Sequence, residues 1–286
     1  MRVPFTKMTG AGNDFVVIDN RSRRIKDRAR VARLLCDRRW GIGADGLLLL
    51  EKSRKADYRM MYYNADGSYG GMCGNGGRCL ALYAVKRHIA PSEHAFEALD
   101  YVYRARVKRN TVCLWMKQPG DLKVNATVRF LGRQQRLNFV DTGSPHAVVP
   151  VETLGRGRTK LQNLDVFTIG RSLRHHSFFA PRGTNVNFVQ LKRDKSLRIR
   201  TFERGVENET LACGTGSIAA AIAAHILWRV NPPVRVIPRS GVPLMVDFDD
   251  KLGRITNVTL TGPAQITFVG SVDVRRRQRS LTTFSL

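Results

Sequence analysis

The chain has 286 residues, 43% of them hydrophobic, five cysteines and a formal net charge of +25. That length and apolar content supply a substantial core and point to two domains, which excludes a disordered chain and a disulfide-stapled miniature fold. Cys36, Cys73, Cys79, Cys113 and Cys213 form no Cys-x-x-Cys pair, and the histidines are scattered, so no zinc-site spacing arises and a reducing compartment is expected.

The first residues, MRVPFTKMTG, carry no apolar signal core, and the apolar run over about 211–228 is rich in Gly, Ala, Ser and Thr. It reads as a core helix, so a cytoplasmic protein without a membrane partner is expected. The positive charge could attract nucleic acid. Its arginines, however, are spread over 21–39, 104–109, 129–136, 156–160, 192–200 and 275–279, with no zinc-finger, RNP-type or helix-turn-helix signature. Weak, salt-sensitive attraction of anions is expected, and no specific nucleic-acid partner.

In chain order, a short strand leads to the turn Gly10-Ala11-Gly12, and Phe15 to Ile18 reads as a buried strand. No G-x-G-x-x-G is completed, so a nucleotide site is not supported. Residues 27–38 suit a basic amphipathic helix with Val31, Leu34 and Leu35 on one side. A four-leucine strand covers 47–50, and a strand from Tyr58 to Tyr63 ends in the turn Asn64-Ala65-Asp66-Gly67. Residues 101–107 and 111–116 read as a hairpin, and Gln118-Pro119-Gly120 as a boundary between halves. The second half repeats the plan, with strands near 124–130 and 135–140, the turn Asp141-Thr142-Gly143-Ser144-Pro145-His146, and a loose basic stretch over 152–176. Strands through Leu191 and over 197–202 follow, and four more near 234–237, 243–248, 254–260 and 265–270 finish the chain. The pattern is an α+β fold with internal pseudo-symmetry.

Two stretches organise this layout. Met72-Cys73-Gly74-Asn75-Gly76-Gly77-Arg78 and Ala212-Cys213-Gly214-Thr215-Gly216-Ser217 each place a cysteine before a glycine-containing helix start, followed by a run apolar around nearly the whole helix. An isolated buried cysteine is usually inert packing, but the repeated context points to paired functional thiols. Unpaired N–H groups and the helix dipole at such a position favour a thiolate and are expected to lower the thiol pKa. The same N–H groups can hold a carboxylate. Two such helices facing one cleft suit removal of a proton from one face of a carbon and its return on the other. A Cys73–Cys213 disulfide is the competing reading, disfavoured by the absence of secretion signals.

Taken together with Gly12-Asn13-Asp14-Phe15, Asn64-Ala65-Asp66-Gly67-Ser68, Pro145-His146, Thr184-Asn185-Val186 and Glu203-Arg204-Gly205, these motifs run through almost the whole chain and resemble the diaminopimelate epimerase family. The resemblance implies two similar domains, each a mixed barrel-like sheet around a central helix, with the site in the cleft between them. It places them at 1–118 and 119–262, with 263–286 returning a final strand to the first domain and ending in a basic tail. It implies epimerisation of LL-2,6-diaminopimelate to the meso form, serving lysine and peptidoglycan synthesis, with no pyridoxal phosphate, metal or nucleotide cofactor. Cys73 and Cys213 would be the acid and base. Backbone N–H groups of Gly74, Asn75, Gly214 and Thr215 would grip the reacting carboxylate. Asn13 and Glu203 would meet the ammonium groups, and Asn64, Asn185 and Arg204 the distal amino-acid end. His146 reads as ordering its loop, and Ser144 as a substrate-side position. A homodimer fits the resemblance, but nothing in the sequence fixes the oligomeric state.

Some family members carry glutamine where Gly46 stands and asparagine where Ser144 stands, Thr9 replaces a frequent histidine, and the segment from Glu203 to Cys213 is longer than the common pattern. The cysteine chemistry is untouched, while substrate selectivity is put in question. The rival readings are a two-thiol racemase for another amino acid such as histidine, a non-catalytic basic anion- or nucleic-acid-binding relative, and a carboxylate-based isomerase, the last disfavoured by the two cysteines.

Overall fold

The computed structural model describes residues 1–154 and 159–274. The basic tail from 275 onward and most of the basic stretch 156–160 lie outside the described residues.

The first half runs β1 (Arg2–Gly10), β2 (Asn13–Asp19), α1 (Arg28–Cys36), β3 (Gly46–Glu51), β4 (Tyr58–Asn64), α2 (Gly74–Lys86), β5 (Glu93–Ala98), β6 (Tyr101–Lys108) and β7 (Thr111–Trp115). The second runs β8 (Leu122–Phe130), β9 (Arg133–Asp141), β10 (Pro145–Pro150), α3 (Val166–Arg174), β11 (Asn185–Leu191), β12 (Leu197–Glu203), β13 (Asn208–Thr210), α4 (Gly214–Trp228), β14 (Val234–Ile237), β15 (Leu244–Lys251) and β16 (Arg254–Pro263), before β17 (Gln265–Asp273).

The same pairing sequence occurs twice. β1–β2 is antiparallel, β2–β3 parallel, β3–β4 antiparallel, β4–β5 parallel, and β5–β6–β7 antiparallel. β9–β10, β10–β11, β11–β12, β12–β14 and β14–β15–β16 follow the same alternation. Each half has one more strand beside its first: β17 on β1, and β8 on β9. β16 also pairs with β7, Leu260 opposite Leu114, and so joins the halves. This is the mixed, sheet-dominated α+β architecture with internal repetition that the sequence implies.

α2 and α4 are the central helices. α4 is rich in alanine, the best helix former, and Ile218 through Ala224 are buried around its whole circumference. It ends at Arg229 in the left-handed region (φ 53°), where the cap N–H donates to the Ala224 carbonyl. Both helices belong to one apolar cluster with Leu48, Met60, Leu114, Val189, Val246 and Leu260. Burying a side chain such as Ile222 contributes ~1.5–3 kcal/mol, and Ile222→Ala would cost ~2–5 kcal/mol. Two smaller clusters lie beneath α1 and α3.

Most elements fall where the sequence places them; α1, for instance, spans Arg28–Cys36 behind an Asp27 cap. Three do not. The loose stretch 152–176 contains α3, whose Phe167 ring meets Phe202 edge-on at 6.0 Å. The turn read over Asp141 to His146 is shorter, with bends only at 142–144, and Pro145 and His146 already belong to β10, buried along its length. β5 was not legible as a strand and pairs with β4 and β6.

Candidate active site

The two central helices meet end to end. A Cβ built on Gly74 would lie 3.7 Å from the Gly214 Cα and 3.0 Å from Leu260 Cδ2, and one on Gly214 would lie 3.5 Å from the Gly74 Cα and 2.9 Å from the same leucine carbon. A Cβ at either position would crowd the tip of Leu260 and stand in ordinary van der Waals contact with the facing glycine, so the two helix starts lie within contact distance of each other. Cys73 and Cys213 are the N-cap residues of α2 and α4. Both line one cavity of about 1010 Å³, together with Asn13, Asn64, Ser144, Asn185, Glu203, Arg204 and the residues Gly74, Asn75, Gly214 and Thr215 of the helix starts. First-turn N–H groups have no intrahelical partner, so the two starts direct donors and positive dipole ends into this space.

A polar bridge locks the two starts together. Asn75 Nδ2 donates to Asn13 Oδ1 at 2.6 Å and to the Ala212 carbonyl, just before Cys213, at 3.0 Å. The Asn75 Oδ1 accepts from Arg78 at 2.7 Å, and Arg78 also donates to the Gly74 carbonyl at 3.3 Å. Arg78 is fully buried, and burial lowers its pKa to about 10. Asn13 in turn donates to Asp45 at 3.0 Å, and Asp45 is held by Arg38 at 2.8 Å.

The thiols are not poised as thiolates. Burial pushes the Cys73 thiol up to about 11, against the pull of the Gly76 and Asn75 N–H groups, and the Glu203 carboxylate pushes it the same way. Burial and Glu203 push Cys213 up as well, against Thr215 and the Gly216 N–H. The lowered pKa expected at a helix start is therefore corrected: water exclusion outweighs the local dipole, because the cysteines sit inside the junction rather than at a solvated helix end. All five cysteines are free thiols, so no Cys73–Cys213 disulfide is present.

The profile of the diaminopimelate epimerase family matches residues 5–119 and 138–267. The diaminopimelate epimerase of Chlorobaculum tepidum is 45% identical over 269 residues, covering 93% of this chain and 99% of its own. That of Flavobacterium psychrophilum is 39% identical over 264 residues, covering 92% and 97%. The chain belongs to the diaminopimelate epimerase family. The fold is also that of a hydroxyproline epimerase from Agrobacterium vitis, with a TM-score of 0.71 at 18% identity over 96% of this chain and 94% of that one.

The other residues singled out by the family resemblance have these settings. Arg204 makes no ion pair with a carboxylate among the described residues, and burial with the nearby Arg174 and Arg182 lowers its pKa; it is a cation facing the cavity with room for an anion. Burial raises the pKa of Glu203. Asn185 is committed to the protein: its Nδ2 donates to Ser144 Oγ at 3.0 Å and to the Pro145 carbonyl at 2.9 Å, while its Oδ1 accepts the Arg204 N–H at 2.9 Å. It shapes the wall that presents Arg204. His146 does not line the cavity; it is buried, bonded to Asn187 at 3.0 Å, and burial lowers its pKa to about 3, so it is a neutral structural group. Among the described residues no cluster of His, Cys, Asp and Glu is arranged to hold a metal.

Sequence reasoning missed two residues here. Arg78 is the single charge between Cys73 and Lys86, directly before the apolar run of α2, and that charge was the available signal. Tyr62 lines the cavity and donates to Asn64 Oδ1 at 2.7 Å; nothing in its sequence context marks it.

Proposed function

We propose that this isomerase interconverts LL- and meso-2,6-diaminopimelate with Cys73 and Cys213 as its acid–base pair, serving lysine and peptidoglycan precursor synthesis. The observation that carries the reading is the meeting of two cysteine-capped helix starts over a single cavity. One thiolate takes the Cα proton, forming an S–H bond and leaving the electron pair on carbon. The opposite thiol then gives its proton to the other face and becomes the thiolate. Nothing else is consumed, and the enzyme is left primed for the reverse direction.

The α-proton of an amino acid is very weakly acidic, so the carbanion needs help. The N–H groups of Gly74, Asn75, Gly214 and Thr215 grip the carboxylate and stabilise charge that builds on it. Glu203 and Asn13 take the adjacent ammonium. With both thiols protonated in the ligand-free site, the substrate supplies the missing element: its ammonium offsets the Glu203 charge that adds to burial in holding the thiol pKa values high. The two thiols then titrate as a pair.

Arg204, backed by Asn185, takes the distal carboxylate. The reading also takes residues 1–118 and 119–262 as the two domains, the chain as cytoplasmic, and the assembly as a homodimer without specific nucleic-acid or membrane partners. No described helix is long and apolar enough to cross a membrane.

Solvent-deuterium incorporation at Cα of LL-diaminopimelate, under reducing conditions and without added cofactor, tests the reading. Cys73→Ala and Cys213→Ala should each lower net epimerisation by about 10²–10⁴-fold. Full activity in either variant refutes the two-base mechanism, and faster exchange into histidine than into diaminopimelate refutes the substrate.

A further inference from the structure

Tyr62 projects from β4 through a slot made of glycine. A Cβ on Gly46 would come within 2.5 Å of Tyr62 Cε2, and one on Gly70 within 2.4 Å of its Cδ1 and Cε1. Neither Gly46 nor Gly70 has a positive φ, so no left-handed backbone calls for glycine at these positions. The room for the ring does, joined at Gly46 by the Tyr63 carbonyl oxygen, which such a Cβ would meet at 2.7 Å. Phe15 closes the slot edge-on, with ring centroids 6.0 Å apart.

The slot delivers the phenol to the cavity, where its hydroxyl donates to Asn64 Oδ1 at 2.7 Å. That bond spends the only phenolic proton and leaves the oxygen's lone pairs as acceptors. It also fixes the orientation of the Asn64 amide. One Asn64 Nδ2 proton goes to Ser68 Oγ at 2.9 Å, and the second is left for a ligand. Burial raises the Tyr62 pKa far above neutrality, so the phenol stays protonated and the arrangement persists across the physiological range. An acceptor and a donor thus stand side by side on a wall separate from the helix starts. Their complement is an ammonium beside a carboxylate, the zwitterionic end of an amino acid.

We propose that Tyr62 is a specificity-determining residue, its Oη accepting from the ammonium of the substrate's non-reacting end while it holds Asn64 for the neighbouring carboxylate. This rests on the proposed function, since it presumes a substrate with two amino-acid ends. The role is one of selection: Tyr62 touches the far end, so it governs binding and leaves the proton transfers alone.

The experiment compares wild type and Tyr62→Phe with LL-diaminopimelate and with 2-aminopimelate, which lacks the distal amino group, by deuterium exchange at Cα. Tyr62→Phe keeps the ring in its slot and removes only the hydroxyl. It should raise KM for diaminopimelate about 10- to 100-fold, leave kcat within about threefold, and erase most of the preference for diaminopimelate over the analogue. An unchanged KM and an unchanged preference overturn the inference. So does a wild type that does not discriminate against 2-aminopimelate, an outcome independent of how the variant folds. No exchange by wild type into diaminopimelate overturns the proposed function and this inference with it, whereas normal wild-type exchange with an indifferent Tyr62→Phe overturns this inference alone.

Discussion

At the start of α2, the Gly76 N–H donates to Cys73 Sγ at 3.5 Å, and Arg78 lies buried one turn further on. At the start of α4, the Gly216 N–H pulls on Cys213 only weakly and makes no full cap bond; the Cys213 sulfur meets the Thr215 hydroxyl at 3.5 Å, and Ile218 stands where Arg78 stands in the other helix. Arg78 favours ionisation of Cys73, whereas the main influences on Cys213 among the described residues include no cation, and its pKa is pushed up further. Two copies of one backbone device have thus acquired unequal electrostatics. The repetition brings two sulfurs to one cavity, and the divergence makes Cys73 the easier thiolate of the ligand-free protein.

The sharpest way to break the comparison is to exchange the two helix residues. Ile218→Arg would bury a cation without partners, costing several kcal/mol, and the folded yield by circular dichroism should collapse. Arg78→Ile strips the donor from Asn75 Oδ1 but also removes a costly buried charge. Those terms oppose each other on stability, so melting should move by only a few degrees while kcat/KM falls about 100-fold. Unchanged kcat/KM would mean that the Arg78–Asn75 bridge is irrelevant to the site.

Gly74→Ala and Gly214→Ala test what the two halves still share. Each new Cβ meets Leu260 at about the same distance, 3.0 and 2.9 Å, so each should cost ~1–3 kcal/mol of stability and slow turnover to a similar degree. Markedly unequal losses in urea titrations would show that the junction is not symmetric.

The pH response follows from raised thiol pKa values. The base must be a thiolate, so log kcat/KM should climb by about one unit per pH unit between pH 7 and 9, below the value of about 11 for Cys73. Stability runs the other way. Thiols kept protonated by folding stabilise fully below the unfolded thiol pKa near 8.5, and that contribution is lost as pH rises towards 11. Iodoacetamide should label Cys73 before Cys213, read by peptide mass spectrometry; the reverse order would contradict the asymmetry. The smallest effect belongs to Thr215→Val, which removes the hydroxyl beside Cys213 and should slow turnover only a few-fold, read in the same deuterium-exchange assay.

Local pattern carried much of the fold. The four leucines of β3 and the alternation of β6 and β12 declare strands, and the Cys-Gly turns before apolar runs mark both helix starts. α3 was hidden because Val166, Thr168 and Ile169 are β-branched and Gly170 interrupts them, a weak helix by propensity that tertiary packing stabilises. β10 was hidden because Pro145 opens it directly from a turn. In the site, sequence could bring the residues into one list but not assign their hydrogen bonds: Asn75 and Asn185 spend their amides on the protein. It also could not reveal depth, so a helix-start cysteine read as acidic is, inside the junction, a reluctant one.

Strand ownership has a consequence for how the molecule is made. β8 follows β7 along the chain yet completes the sheet of the second half, and β17 follows β16 yet completes that of the first. On the ribosome, early strands must therefore wait for late ones: β1 lacks its β17 neighbour until Asp273 has emerged, and β7 its β16 neighbour until Pro263 has. Severing the chain near Gln118 should leave two fragments with raw sheet edges, neither able to assemble half a pocket alone.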